Sequence, residues 1–257
     1  MSAPHQPPDP AGISVVIPAY DAAATIGAAV ASVRAAVRFA AAKDHPLACE
    51  VVVVDDASSD GTAAAALAEA APDCPVRVLR QEPNQGAGAA RNLGAEAARH
   101  PLLCFLDADD LYRPEHLLVC ALALARRPAT DFVSTRFATS RPVDPSWIPA
   151  ISAASALTLC IRRAAHRRLG GFPPLRHFED VFYRRLADAL LTGWYLGNET
   201  VVYVWSPGNS FDRQLAKFSM PADRYRPEAG DRPPPEVEAL FARRLAAAKA
   251  AIGGDPA

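Results

Sequence analysis

The sequence predicts an α/β protein with a mostly parallel central sheet flanked by helices, and three observations carry that prediction. Through the first half, short apolar runs alternate with longer stretches of helical periodicity. Those runs are mostly continuous in apolar residues, broken only by Ser14, Glu50 and Arg77, as expected of strands covered by helices on both faces. Polar residues then cluster after each of the first four runs, where parallel sheets bind their ligands.

In order, residues 13–17 read as a buried strand, and Ile26, Val30, Val33 and Val37 recur at helical spacing after Thr25. Residues 50–54 form a second strand, followed by an alanine-rich helix from Gly61. Residues 76–79 are a third strand, residues 88–99 a helix and residues 102–106 a fourth strand. Pro114 then opens a helix with Leu117, Leu118, Ala121 and Leu122 on one face. Beyond Asp131 the alternation breaks down. Residues 141–149 hold three prolines and read as a loop, 156–161 as a strand, and 162–169 as a short helix closed by Gly170 and Gly171. Glu179 and Asp180 open a helix with Phe182, Leu186, Ala189 and Leu190 on one side. Residues 200–205 are a strand, 206–209 a turn, and 235–250 a helix with Val237, Leu240, Phe241 and Leu245 in a stripe. The expected organisation is a disordered segment over residues 1–12, an alternating half over 13–135, a less regular half over 136–220, and a proline-rich linker and helix over 221–257.

Composition narrows the function. The 257 residues are half apolar, enough for a substantial core, and 27 Lys and Arg against 28 Asp and Glu leave a formal charge of −1. No global basic field argues for nucleic acid. Five scattered cysteines without a C-x-x-C pair fit isolated reduced thiols. The N-terminus lacks an apolar signal region and no later segment offers a membrane-spanning run, so a soluble cytoplasmic protein is expected, with peripheral membrane association left open.

The densest chemistry lies at Phe105-Leu106-Asp107-Ala108-Asp109-Asp110, three carboxylates within four residues at the end of an apolar strand. Hard cations such as Mg²⁺ or Mn²⁺ take oxygen ligands and share them with substrate phosphates, so this pattern points to a metal-diphosphate site. Acidic residues also serve turns and helix caps, and the tripeptide alone leaves both readings open.

Five further segments accompany it in register: Ile-Ser-Val-Val-Ile-Pro-Ala-Tyr-Asp at 13–21, Val-Val-Asp-Asp-Ala-Ser-Ser-Asp-Gly-Thr at 53–62, Asn-Gln-Gly-Ala-Gly-Ala-Ala-Arg-Asn-Leu-Gly at 84–94, Gly-Gly-Phe at 170–172 and Glu-Asp at 179–180. Together they resemble the family 2 inverting glycosyltransferases of GT-A fold. The resemblance implies transfer of a sugar from a nucleoside diphosphate, UDP by preference, to an acceptor hydroxyl of a sugar, a lipid-linked or a small molecule, with a divalent cation.

It also implies the residue roles. Asp56 accepts the imide hydrogen of a uracil-like base, Tyr20 packs on the ring, and Pro18 and Ala19 shape the wall; the alternative is that Asp55 and Asp56 end a strand and cap Ser58 and Ser59. Asp107 faces ribose and metal, and Asp109 is the principal metal ligand. Asp110 is read as a cap for the helix after Pro114. Arg91 is either a diphosphate contact or an ordinary exposed helix arginine. Asp180 is the general base, and Glu179 and His177 lie on the acceptor side. The segment from 203 to 210 lacks the basic residue many relatives carry, leaving Arg213 or Lys217 as substitutes. Two rival functions remain: a non-catalytic nucleotide-sugar binder, and a dinucleotide-binding oxidoreductase suggested by Gly86-Ala-Gly88, although Arg91 stands where a third glycine is wanted.

Overall fold

The computed structural model describes residues 11–140, 155–176 and 179–204, together with four helical positions, Ala239, Ala242, Arg243 and Ala246. The N-terminal segment, His177, residues 206–217 and most of the C-terminal helix expected over 235–250 lie outside the described residues.

The first half follows the sequence pattern. Strand β1 (Ile13–Ala19) is buried throughout, as is β2 (Cys49–Asp55), because each is covered by helices on both faces. Between them lies α1 (Ile26–Ala41), whose buried Ile26, Val30, Val33 and Val37 are the predicted stripe. After β2 come α2 (Thr62–Ala68), β3 (Val76–Arg80), α3 (Ala87–Ala97) and β4 (Leu102–Phe105). Strands β1, β2, β3 and β4 pair in parallel in the order β3-β2-β1-β4. Gly94 of α3 sits against β1, where a Cβ would overlap Val16 Cγ1. The close helix-sheet contact therefore rests on Gly94, three residues beyond Arg91.

The second half departs from the prediction. A two-residue strand β5 (Leu111–Tyr112) precedes α4 (His116–Arg126), and an eight-residue strand β6 (Phe132–Thr139) follows where the sequence shows no clear alternation. Its first four residues are buried on both sides, so it carries no period-2 signal. A 3₁₀ turn (Ala156–Thr158) occupies the start of the predicted strand, and β7 is confined to Leu159–Arg162. Then come α5 (Arg163–Leu169), ended by Gly170 and Gly171 at φ of 74° and 71°, α6 (Glu179–Leu190) and β8 (Gly193–Tyr203). Strand β8 begins seven residues before its predicted start because its exposed polar middle masks it.

Among the described residues the sheet has eight strands in the order β3-β2-β1-β4-β7-β6-β8-β5, with β7 antiparallel to both β4 and β6 and β6 parallel to β8. The expected division between residues 135 and 136 falls inside β6. One hydrophobic cluster packs α1 and α4 on one face, and a second packs α5, α6 and the end of α3 on the other. The five cysteines are free and buried; Cys104 and Cys160, far apart in sequence, lie opposite each other on β4 and β7. No helix among the described residues is long and apolar enough to cross a membrane.

Candidate active site

The carboxyl ends of β1, β2 and β4 open on one crevice. At the exit of β1, Pro18 and Ala19 are buried and Tyr20 is 56% exposed. The following turn is locked to the loop after β2: Asp21 accepts the Ser59 N–H (2.8 Å), donates its own N–H to Ser58 Oγ (3.0 Å), and Ala22 N–H donates to Thr62 Oγ1 (2.8 Å). Tyr20 is thus an open aromatic face on a braced support.

The two aspartates ending β2 are both engaged. Asp55 accepts the Ser58 N–H (2.9 Å) and pairs with Arg80 (2.8 Å). Asp56 is 3% exposed and accepts three hydrogen bonds, from Gln81 Nε2 (2.7 Å) and from the N–H groups of Gln85 (2.9 Å) and Gly86 (2.7 Å). Gly86 has φ of 90°, which suits glycine, and opens α3. Expected as a base reader, Asp56 is found anchoring the 81–86 loop, with one of roughly four carboxylate lone-pair positions left over.

Beyond β4, the turn closed by Asp110 N–H to Asp107 O (3.1 Å) gathers Asp107, Asp109 and Asp110, each offering an oxygen within 4.8 Å of the others. Asp107 is 34% exposed at its side chain. Burial, reinforced by Asp107, pushes the Asp109 carboxyl up to about 6. Asp110 does not cap the helix after Pro114: α4 begins beyond Glu115 with no side-chain cap, and Asp110 Oδ1 instead accepts the N–H of Val204 (2.8 Å), tying down the end of β8. Among the described residues its Oδ2 is buried without a hydrogen-bond partner, and burial together with Asp107 and Asp109 raises its pKa well above the usual carboxylate range. An orphaned buried carboxylate oxygen beside two further carboxylates fits a hard divalent cation.

Arg91 connects this cluster to the other side of the crevice. It is 3% exposed, so it is neither an ordinary surface arginine nor open to solvent. Its two terminal nitrogens reach Asp107 (2.6 Å) and Glu179 (2.9 Å), and its guanidinium lies 5.3 Å from the Phe172 ring. Phe172 in turn stacks on Tyr183 (4.0 Å) and meets Phe105 edge-on (5.0 Å), contacts that contribute about 0.5–1.5 kcal/mol each beyond area burial. Although burial opposes its charge, Asp107, Glu179 and Asp180 hold Arg91 protonated more firmly than a free arginine.

Glu179, expected on the acceptor side, is buried and accepts a hydrogen bond from Arg91 (2.9 Å). Asp180, next in sequence, is partly exposed; its only hydrogen bond among those resolved is from the N–H of Val181 (2.8 Å). Burial, then the Glu179 charge, lift its pKa to about 7, against the opposing pull of Arg91. A carboxylate at that value is suited to take a proton near neutral pH.

Two supporting residues escaped sequence reasoning. Gly88 leaves room for α6: a Cβ there would lie 3.0 Å from Glu179 Cγ and 3.2 Å from Pro173 O. Asn92 accepts the Phe172 N–H (2.8 Å) and donates to Phe172 O (3.0 Å), fastening the Gly-Gly-Phe segment to α3. Their positions inside the motif at 84–94 were the available signal. The glycines of the supposed dinucleotide fingerprint therefore serve a turn and a helix contact.

Comparison with known proteins follows the same lines. The profile of Glycosyl transferase family 2 matches residues 14–188. A succinoglycan biosynthesis protein of Rhizobium meliloti, ExoU, is 34% identical over 172 residues, covering 67% of this chain and 42% of its own. The chain spans less than half the length of the curated relatives it matches. Among solved structures, residues 1–349 of S. aureus TarS in complex with UDP-GlcNAc superpose with a TM-score of 0.69 at 22% identity, covering 91% of this chain and 66% of that one. A mannosyltransferase of Pyrobaculum calidifontis in complex with GDP-Man and Mn²⁺ gives 0.61 at 22% identity, covering 98% and 77%.

Proposed function

The chain belongs to glycosyl transferase family 2, with a GT-A fold, and on that premise we propose that it moves a sugar from a nucleoside diphosphate, UDP in our reading, to an acceptor hydroxyl with inversion at the anomeric carbon. The observation that carries the reading is the joint geometry of the acids: Arg91 pairs with Asp107 of a cation-fitting triad and with Glu179, the neighbour of the Asp180 carboxylate, which is poised at about 7.

In this mechanism the Asp180 carboxylate takes the proton of the acceptor hydroxyl as that oxygen attacks the anomeric carbon, and the bond from that carbon to the diphosphate breaks with its electron pair leaving on the phosphate. Asp109, with Asp107 and Asp110, would hold Mg²⁺ or Mn²⁺, whose chemistry is to neutralise charge on the departing diphosphate. Tyr20 offers the face on which the base packs, with Pro18 and Ala19 behind it and the loop anchored by Asp56 beside it. Arg91 positions Asp107 and Glu179 instead of meeting the diphosphate directly. The ExoU name supports polysaccharide assembly as the setting. The bound GDP-Man of the archaeal neighbour, beside the UDP-GlcNAc of TarS, makes the base the part of the reading most in need of a test.

That test is thermal-shift screening against UDP, GDP, CMP and dTDP sugars with and without Mn²⁺, followed by determination of the product's anomeric configuration. Selective stabilisation by a UDP sugar with Mn²⁺ and an inverted product are expected, since a ligand at a hundredfold its Kd adds about 2.7 kcal/mol. Stabilisation by another nucleotide would change the donor, and a retained configuration would remove Asp180 as the base.

A further inference from the structure

The arginines of this protein are distributed unevenly. On the β1–β3 side, Arg34, Arg38, Arg77 and Arg80 each pair with a carboxylate. At the end of the sheet where β4, β6 and β8 begin, three segments, 98–101, 124–131 and 162–168, hold seven arginines and one acid, Asp131. They are brought together by their own contacts. Arg163 donates to Ala98 O at the end of α3; Arg162 donates to Leu124 O (2.9 Å) and Thr130 O (2.9 Å) at the end of α4; Arg168 pairs with Asp131 (2.7 Å). Asp131 is thereby occupied. Arg99, Arg126, Arg127 and Arg167 are exposed, and among the described residues none of them forms an ion pair.

A chain of net charge −1 thus carries a concentrated positive face. It lies about 20 Å from the Asp107–Asp110 crevice, since Pro101 and Asp107 are six residues apart along β4 at about 3.3 Å each. The crevice uses none of these arginines.

We propose that this face docks the protein on an anionic phospholipid surface. Guanidinium groups match phosphate oxygens bidentately, and arginines near an anionic leaflet are attracted within about a Debye length. The surface is made of helix ends and turns, which suits a broad charged plane. Its aromatic, Trp194, has the Arg127 guanidinium 3.7 Å from its ring centroid, so a face that stacking bases would use is covered. Tryptophan beside arginine is also a pairing at home at the headgroup level. The inference is independent of the transfer reading.

Sedimentation of the full chain with vesicles tests it. The protein is expected to bind vesicles of phosphatidylcholine with about one third phosphatidylglycerol, to ignore phosphatidylcholine alone, and to be released as salt is raised. The overall charge opposes such binding, so a positive result isolates the local face. Replacing Arg99, Arg126 and Arg167 together by Glu should weaken partitioning at least about a hundredfold, each reversal removing one attraction and adding one repulsion. Arg38→Glu, toward the β1–β3 side where the arginine is paired with Asp73, should leave it unchanged. If the triple Glu variant melts early, the same three positions changed to Gln serve, with about tenfold or greater loss expected. Equal binding to both vesicle types, or binding by the triple variants like the wild type, overturns the proposal. Retention on heparin that the triple variants lose, without anionic-vesicle binding, assigns the face to a soluble polyanion and overturns it as well.

Discussion

The exit of β4 and the start of α6 present adjacent acids to the same crevice, and each divides the work in the same way. At β4, Asp110 is buried and holds the Val204 N–H, while Asp109 is partly exposed with its carboxyl at about 6. At α6, Glu179 is buried and holds Arg91, while Asp180 is partly exposed and stands at about 7. The two sites differ in what lies behind them. Glu179 has a full cationic partner, whereas Asp110 keeps one buried oxygen with none among the described residues. In each doublet one acid is held by a structural partner while the other carries a raised pKa, lifted first by its own burial and then by a neighbouring charge, Asp107 at β4 and Glu179 at α6.

The largest effect should come from the chemical member of the α6 pair. Asp180→Asn is expected to cut turnover by ~10²–10⁴ with donor binding nearly unchanged, because the proton acceptor is lost and the shape kept. In the wild type, turnover should fall about tenfold per pH unit below about 7, as Asp180 becomes protonated. Stability runs the other way. With a folded pKa raised from 3.8 to about 7, the contribution of Asp180 is fully present below the unfolded value and lost as pH rises through about 7. Asp180→Asn cannot ionise, so at pH 8 its melting temperature should equal or exceed that of the wild type. A variant with normal turnover would break the comparison at its catalytic end.

Arg91 is the link between the two acid sites, and removing it should be the largest stability effect. Arg91→Met leaves Glu179 buried without its cation, and breaking a buried pair from one side costs about 3–5 kcal/mol. Urea unfolding measures it. Weakened nucleotide binding with unchanged stability would return Arg91 to the role of a diphosphate contact. Asp56→Ala comes next, since it strands the N–H groups of Gln85 and Gly86; a loss of about 1.5–3 kcal/mol in unfolding free energy is expected without ligand present. If stability holds and only nucleotide binding falls, the base reading regains its force.

Most of the parallel half was legible in the sequence because its strands are continuous apolar runs followed by turn residues, and the buried stripe of α1 repeats at helical spacing. Strand β6 was not, because burial of its first four residues on both faces erased the period that would have marked it, even though α4 precedes it. The site divides similarly. Asp107, Asp109 and Asp180 could be named from local motifs, but the roles of Asp56, Asp110, Glu179 and Arg91 depend on partners 16 to 94 positions away. An ion pair between α3 and α6 across 88 positions leaves no periodicity or charge pattern on either segment alone. The glycine at 88 is the trace it does leave, and only the packing explains it.

The smallest effect sharpens the comparison at β4, where the structural acid has a free oxygen. Asp110→Asn keeps an acceptor for the Val204 N–H and removes a charge that burial, Asp107 and Asp109 all oppose. Because its folded pKa is raised, Asp110 contributes stability present below its ordinary 3.8 and lost as pH rises, so in cation-free buffer at neutral pH the variant should match or exceed the wild type by about 1 kcal/mol. Mn²⁺ should reverse that order. Wild type gains stability by mass action as the triad loads, while the variant, short of one charged oxygen, gains less at every concentration. Melting curves across a Mn²⁺ series therefore cross if Asp110 is a third ligand. Parallel curves would confine it to holding β8, and the two acid sites would then be alike in every respect except the cation behind Glu179.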